Sequence, residues 1–316
     1  MDRRTVLTSG LAAGLVAASG ARASAAPERI ALWPGTPPGG EGLAVKDETV
    51  PRSPKPDDIA WTHIATPVMT VARAAKPNGA AVLIIPGGGY ARVAVGRQPG
   101  RIAQMYAAQG ITAFELLYRL PHDNWRGGPA TPLQDAQRAM RLIRAGAAEW
   151  GIDPARVAAA GFSAGGHVVG SLGTRADRAT YDPIDAADRL SARPIAVAMF
   201  FPVVSMLSPI AHDQSRRELL GATPSEALAK EWSLERDVPA TTPPTSVFHA
   251  ADDKTVKAAN SLAMFGGLQA AGIPSELMIA EKGGHGIPLF DAAGKPHVWF
   301  DLFRTFAGRH GWLPAL

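Results

Sequence analysis

Val157-Ala158-Ala159-Ala160 runs directly into Gly161-Phe162-Ser163-Ala164-Gly165, and an apolar stretch from His167 to Leu172 follows. Four apolar residues in a row suit a short strand buried on both faces of a parallel sheet. G-x-S-x-G alone is a weak signal in a Gly-rich chain. Its setting gives it weight: strand, tight turn and helix together make the bend that lifts a serine hydroxyl above a sheet. Small residues two places either side of Ser163 let the strained backbone pass. The helix behind it directs free N–H groups at the site, which favours negative charge there.

The same alternation of strand and helix extends on both sides. Ala80 to Ile85 is a continuous apolar run ended by Pro86-Gly87-Gly88-Gly89. Arg101 to Gln109 reads as a helix stopped by Gly110, and Ile111 to Tyr118 as the next strand. Thr131-Pro132-Leu133-Gln134 opens a helix, with Thr131 as cap, Pro132 in the first turn and Gln134 at the capping-box position. Leu133, Ala136, Met140, Ile143 and Ala147 then recur at spacings of three and four and give one buried face. Ile195 to Phe201, Thr245 to Ala250 and Glu276 to Ala280 read as further strands, with helices near 214–220, 258–271 and 297–309. This order predicts an α/β fold with a doubly wound, mostly parallel central sheet flanked by helices. The Pro/Gly-rich stretch 33–56 reads as surface loop. Residues 203–240 break the rhythm and are expected as an insertion over the C-terminal edge of the sheet, where such folds bind ligands. With no repeat and no long linker, residues 26–316 are expected to form a single catalytic domain.

The chain has 316 residues, 46% hydrophobic and 19% charged, which excludes a disordered polymer and supports a large core. It has no cysteine, so disulfides, thiolate metal sites and cysteine nucleophiles are excluded. The formal charge is only +4 and the basic residues form no run, so nothing points to nucleic acid. Asp2-Arg3-Arg4-Thr5-Val6-Leu7, an apolar run from Leu11 to Ala18, and small residues at Ala21, Ala23 and Ala25 follow the order of an export signal. The arginine pair is similar to the twin-arginine type. The run is too short to span a bilayer, so no membrane span is expected in the mature protein. Residues 1–25 are therefore expected to be removed and the protein to act in the periplasm or outside the cell. That cut takes away three arginines and Asp2, and the charge falls to +2.

Two further features complete a hydrolase. Acyl transfer puts negative charge on a carbonyl oxygen, and losing one preorganised N–H donor to it costs about 3 kcal/mol. Pro86-Gly87-Gly88-Gly89-Tyr90 follows a buried strand, and the N–H groups of Gly88 and Gly89, with that of Ala164, are expected to form the oxyanion hole. No G-x-G-x-x-G and no Lys-Ser/Thr pair follows, which argues against a nucleotide. Downstream stand Asp252-Asp253 after one strand and Gly283-Gly284-His285-Gly286 after another, in the serine–acid–histidine order of this fold. His285, flanked by glycines on a strand-end loop, is the expected base. His249 reads as a packed strand residue and His167 as structural. His122, His212 and His297 are left open as cleft residues. No metal-binding spacing is present.

These residues together resemble the α/β-hydrolase fold, and more narrowly the carbohydrate esterases grouped with acetyl xylan esterases and bifunctional acetylxylan/feruloyl esterases. The resemblance rests on Pro86-Gly87-Gly88-Gly89-Tyr90, Tyr118-Arg119-Leu120-Pro121, Asp135-Ala136-Gln137-Arg138-Ala139 and Gly161-Phe162-Ser163-Ala164-Gly165-Gly166-His167. Phe201-Pro202-Val203-Val204-Ser205, Leu219-Leu220-Gly221, Asp252-Asp253 with Val256, and the His285 loop extend it over most of the chain. Pro86 departs from the His-Gly-Gly-Gly of many related esterases. The resemblance implies Ser163 as nucleophile, His285 as base and Asp253, three residues before Val256, as the acid, with Asp252 holding its loop. It implies an acyl-enzyme, no cofactor, and a short acyl ester, foremost acetyl, on a plant-wall sugar or oligosaccharide such as xylan. A general carboxylesterase, an exopeptidase on the same fold and a non-catalytic binding protein are the other classes these residues admit.

Overall fold

The computed structural model describes residues 28–291 and 293–313. The export signal expected at 1–25 lies outside the described residues. Eight strands lie side by side in the order β1 (Arg29–Ala31), β4 (Val68–Ala72), β6 (Thr112–Leu117), β5 (Gly79–Ile85), β7 (Ile152–Phe162), β8 (Val197–Phe200), β9 (Thr245–Ala250) and β10 (Ser275–Ala280). From β6 to β10 all neighbours pair parallel. β1 and β4 extend the sheet antiparallel. β2 (Glu48–Pro51) and β3 (Ile59–His63) form a separate ribbon.

The period of two along a strand divides the core between the two faces. In β5, Ala80, Val82 and Ile84 join a cluster with Tyr106 of α1 (Arg101–Ala108) and with Phe300 and Phe303 of α7 (Val298–Arg309). Ala81, Leu83 and Ile85 face the other cluster, built with α2 (Thr131–Ala145), α3 (Ala164–Thr174) and α6 (Ala259–Ala270). This is the doubly wound arrangement of the α/β-hydrolase fold. The face expected on α2, from Leu133 to Ala147, is buried throughout.

Two expectations are corrected. The stretch 33–56 is not only surface loop: Trp33 is buried and Glu48–Pro51 forms β2, while β1 before it and β4 after it close one edge of the sheet. Thr131 does not cap α2. A short 3-10 turn over Gly128–Ala130 feeds straight into the helix, Ala130 is the N-cap, and no side chain caps it. Gln134 instead accepts from Arg119 Nη2 at 3.0 Å and donates to the Thr180 carbonyl at 2.6 Å. Arg119 and Asp135 form a fully buried ion pair at 2.9 Å. Trp33 Nε1 donates to the same carboxylate at 2.8 Å, and Arg119 Nη1 donates to the Pro38 carbonyl at 2.8 Å. Such a pair tolerates burial only because its remaining donors and acceptors are bonded. The N-terminal segment supplies part of that bonding.

Residues 203–240 carry α4 (Asp213–Leu220) and α5 (Glu226–Glu231). His212 and Gln214 from this segment line the cavity above the sheet, as expected of an insertion over that edge. Among the described residues, no helix is long and apolar enough to cross a membrane.

Candidate active site

β6 and β7 lie on opposite sides of β5, so the chain direction reverses across the sheet at β5. A crevice opens at such a point, outside the C-terminal ends of the strands. The loops leaving β5 and β7 emerge there side by side, with Ile85 paired to Gly161. They carry Gly87–Tyr90 and Ser163.

Ser163 has φ +55° and ψ −120°, a conformation a non-glycine residue holds only when its surroundings impose it. Its N–H donates to the Phe200 carbonyl at 3.0 Å, and its own carbonyl accepts from Gly166 at 2.9 Å and Val203 at 3.0 Å. The flanking glycines are fixed by contact. A Cβ on Gly161 would stand 2.2 Å from the Gly165 carbonyl oxygen, and one on Gly165 would stand 2.2 Å from that of Ile85. The turn therefore admits no side chain at either place.

His285, on the loop after β10, has Nε2 2.9 Å from Ser163 Oγ and Nδ1 2.8 Å from Asp253 Oδ2. A carboxylate only accepts, so Nδ1–H donates to Asp253 and Nε2 is left to accept the serine proton. The Asp253 side chain is fully buried. Burial alone would raise its pKa. Bonds from His285 and from the N–H groups of Thr255 and Val256 outweigh that and hold it below the ordinary value. His249 lies beneath: its Nε2–H is shared between the Val256 carbonyl at 2.9 Å and Asp253 Oδ2 at 3.2 Å, and its Nδ1 accepts from Ser261 Oγ at 2.7 Å. Burial lowers the His249 pKa, consistent with a neutral ring. Asp252 points elsewhere and accepts from Gly284 N–H at 2.8 Å. The Phe201 ring meets the His285 ring edge-on at 5.0 Å.

Gly88 and Gly89 line the cavity with Ser163. Among the described residues, neither their N–H groups nor that of Ala164, the first residue of α3, has a hydrogen-bond partner. Two contacts brace this loop. Tyr118 OH donates to the Pro86 carbonyl at 3.0 Å. Tyr90 OH donates to His167 Nδ1 at 2.7 Å, and His167 Nε2–H donates to the Trp232 carbonyl at 2.8 Å. Burial pushes the His167 pKa down to about 3, so it stays neutral and acts as a strut between α3 and the glycine loop. The cavity has a volume of about 470 Å³.

His122 does not line this cavity. It joins His63 and Asp123 in a group whose potential ligand atoms lie within 4.8 Å of one another. His63 Nδ1 and Asp123 Oδ1 are 2.5 Å apart, and His122 Nε2 donates to the Thr62 carbonyl at 2.9 Å. Zinc bonds of about 2.0–2.1 Å hold ligand atoms more than 3 Å apart, so this is a hydrogen-bonded pair beside a third ring.

The chain matches BD-FAE over residues 69–268, more than half its length. It belongs to the BD-FAE family. Among curated proteins, this BD-FAE chain is similar to an acetylxylan esterase of Xylanibacter ruminicola, 30% identical over 67% of this chain and 42% of the relative. It is also similar to endo-1,4-beta-xylanase B of Butyrivibrio fibrisolvens, 34% identical over 65% of this chain and 32% of the relative. The chain thus spans less than half the length of either. Among solved structures, an acetyl ester-xyloside bifunctional hydrolase from Caldicellulosiruptor lactoaceticus superposes with a TM-score of 0.71 at 28% identity, covering 91% of this chain and 97% of that one. The carboxylesterase Cest-2923 of Lactobacillus plantarum shares the fold, with a TM-score of 0.65 at 21% identity over 87% of this chain and all of that one. The BD-FAE match takes in Ser163 and Asp253 and ends before His285. His167 and His249 are the structural, hydrogen-bonded residues expected of them, while their pairing with Tyr90 and Asp253 was not foreseen. A tyrosine after the glycine run and a histidine one turn into the elbow helix were the available signals.

Proposed function

We propose that the chain is a carboxylic ester hydrolase that works through Ser163, His285 and Asp253 and releases short acyl groups, acetyl foremost, from carbohydrates such as xylan oligosaccharides. One observation carries the mechanism: a continuous hydrogen-bonded line from buried Asp253 through His285 to Ser163 Oγ, at the wall of the cavity. Ser163 Oγ attacks the ester carbonyl while its proton passes to His285 Nε2. Asp253 holds the ring in the tautomer that can accept and stabilises the imidazolium. The N–H groups of Gly88, Gly89 and Ala164 receive the oxyanion. The imidazolium then returns its proton to the leaving alcohol. Water, deprotonated by His285, cleaves the acyl-serine and regenerates the hydroxyl.

The acetylxylan esterase of X. ruminicola and the C. lactoaceticus acetyl ester-xyloside hydrolase support acetyl as the acyl group and a xylose-based alcohol. Residues 26–316 are read as one catalytic domain, exported by the leader at 1–25. An organophosphonate followed by peptide mass analysis tests the nucleophile: modification belongs on Ser163 and vanishes in Ser163→Ala. A panel of acetylated xylan, feruloyl esters, aryl esters of increasing acyl length and aminoacyl anilides tests the substrate. Faster turnover of long-chain than of acetyl esters would refute the carbohydrate reading and favour a general esterase.

A further inference from the structure

The cavity beside Ser163 contains a carboxyl group that the proposed chemistry does not use. Glu115 is the one charged residue of β6, and it is 6% exposed. In register with Ile84, it points to the same face of the sheet as Ile84, Ala113 and Phe162. It lines the cavity together with Ile84, Ile102, Phe162 and Leu289, all apolar. Two strand spacings separate β6 from β7, so Glu115 sits about 10 Å across the sheet from the strand that delivers Ser163.

The two oxygens of Glu115 are not alike. Oε2 accepts from Gly100 N–H at 2.6 Å, at the start of α1. Oε1 has no hydrogen-bond partner among the described residues, and no basic side chain bonds either oxygen. Burial pushes the carboxyl up to about 7, against the opposing bond from Gly100. Oε1 is not among the fully enclosed polar atoms that lack a partner, so it keeps open surface on the cavity, and a molecule bound there must replace the water it displaces from that oxygen. Elsewhere in this core, Arg119–Asp135 and Asp253 show how the chain satisfies buried carboxylates that serve the fold.

We propose that Glu115 is the polar end of the substrate pocket, where Oε1 bonds a hydroxyl of the bound ester, so that the pocket selects hydroxylated groups over alkyl groups of equal size. The inference rests on the ester-hydrolase reading above. A hydroxyl both donates and accepts, so it pairs with either protonation state of the acid. An alkyl group leaves the carboxyl desolvated and unpaired, and sites built to bond a hydroxyl reject analogues lacking it far more strongly than apolar pockets sort by size. The hydroxyl can belong to the acyl group or to the sugar. The chemistry at Oε1 is the same.

Two matched substrate pairs distinguish these sources: a 4-nitrophenyl glycolate against the propionate, and an acetylated methyl xyloside against its monodeoxy analogues. In the wild type, kcat/KM favours the hydroxylated member of one pair by about tenfold or more. Glu115→Met brings that ratio to within about twofold of one, and Glu115→Gln, which still hydrogen-bonds, keeps most of it. The ratio is taken within one preparation, so loss of active protein cancels, and a merely structural residue would leave it unchanged. Where Glu115→Met fails to fold, Gly100→Ala serves, because its Cβ would stand 2.8 Å from Oε1 and displace it. A wild-type ratio near one for both pairs, or a ratio unchanged in Glu115→Met, overturns the inference while the esterase reading stands. No turnover of any ester by folded wild type removes both.

Discussion

Replacing Glu115 by glutamine makes a pH-dependent stability difference that follows from burial alone. The carboxyl is raised from 4.5 to about 7 in the folded protein. Between those values the folded state keeps a proton that the unfolded state releases. The slope of unfolding free energy with pH is therefore negative there: stability is fullest below about 4.5 and is lost as the pH rises through about 7. A shift of this size amounts to about 3 kcal/mol at 1.36 kcal/mol per unit. The glutamine amide of the variant does not titrate, so Glu115→Gln should gain about 2.5 kcal/mol on the wild type between pH 5 and pH 8, where part of the shift is already lost at the lower pH, whatever its constant offset. At about 2–4 °C per kcal/mol for a large domain, that is a relative rise in Tm of about 5 °C or more. Thermal melts of both proteins at the two pH values measure it. The other ionisable groups lining the cavity, Arg52, Arg92, His212 and His285, are present in both proteins. An equal difference at pH 5 and pH 8 would refute the claim that burial raises this carboxyl in the free protein.

Three further outcomes are expected. Asp253→Asn favours the wrong His285 tautomer and should lower kcat by about 10⁴, as in the serine-protease triad, whereas Asp252→Asn weakens only the bond to Gly284 and should cost less than tenfold; a crippled Asp252→Asn beside a near-normal Asp253→Asn in steady-state kinetics would reverse the assignment. Asp135→Ala strands the buried Arg119 and should destabilise by about 3–5 kcal/mol, read from urea denaturation, with a change under about 1 kcal/mol counting against a buried pair. Arg3→Lys with Arg4→Lys should hold the protein in the cytoplasm if the leader is of the twin-arginine type, and normal export of that variant points to the general secretory route.

The parallel strands were legible because both their faces are buried. Ala80 to Ile85 and Ile195 to Phe201 are apolar throughout and read as strands wherever they sit, and the α2 face read from its spacing. β1 was not legible: three residues, Arg29-Ile30-Ala31, carry no period, and they become a strand only because β4 is there to pair with. β4 itself, Val68-Met69-Thr70-Val71-Ala72, is short, sits between Pro67 and Arg73, and is buried on both faces only once β1 and β6 pair with it. Thr131 failed as a cap because the backbone was already turning before it reached the helix. At the site, Ser163 and His285 announced themselves through glycine neighbours, which a strained turn and a tight strand-end loop both require. Glu115 was visible as one charge in an apolar strand. Its place in the cavity depends on the register of β6 against β5, and no local pattern encodes that.

The first described residues also fix how anything upstream is attached. Glu28 is held by Arg73 and Trp150, and β1 begins at the next residue. β1 enters the sheet opposite Thr70, and the neighbouring antiparallel pairing sets Ala72 against Ala113, near the start of β6. β1 therefore starts level with Glu115 in the middle of β6 and runs toward the edge where Ser163 is presented, while Glu28, bonded to Val71, lies on the side of the opposite edge, where the parallel strands begin. An affinity tag, a surface tether or a carbohydrate-binding module fused before residue 28 would therefore hang from the underside of the molecule, leaving the cavity mouth free to meet a polymer surface.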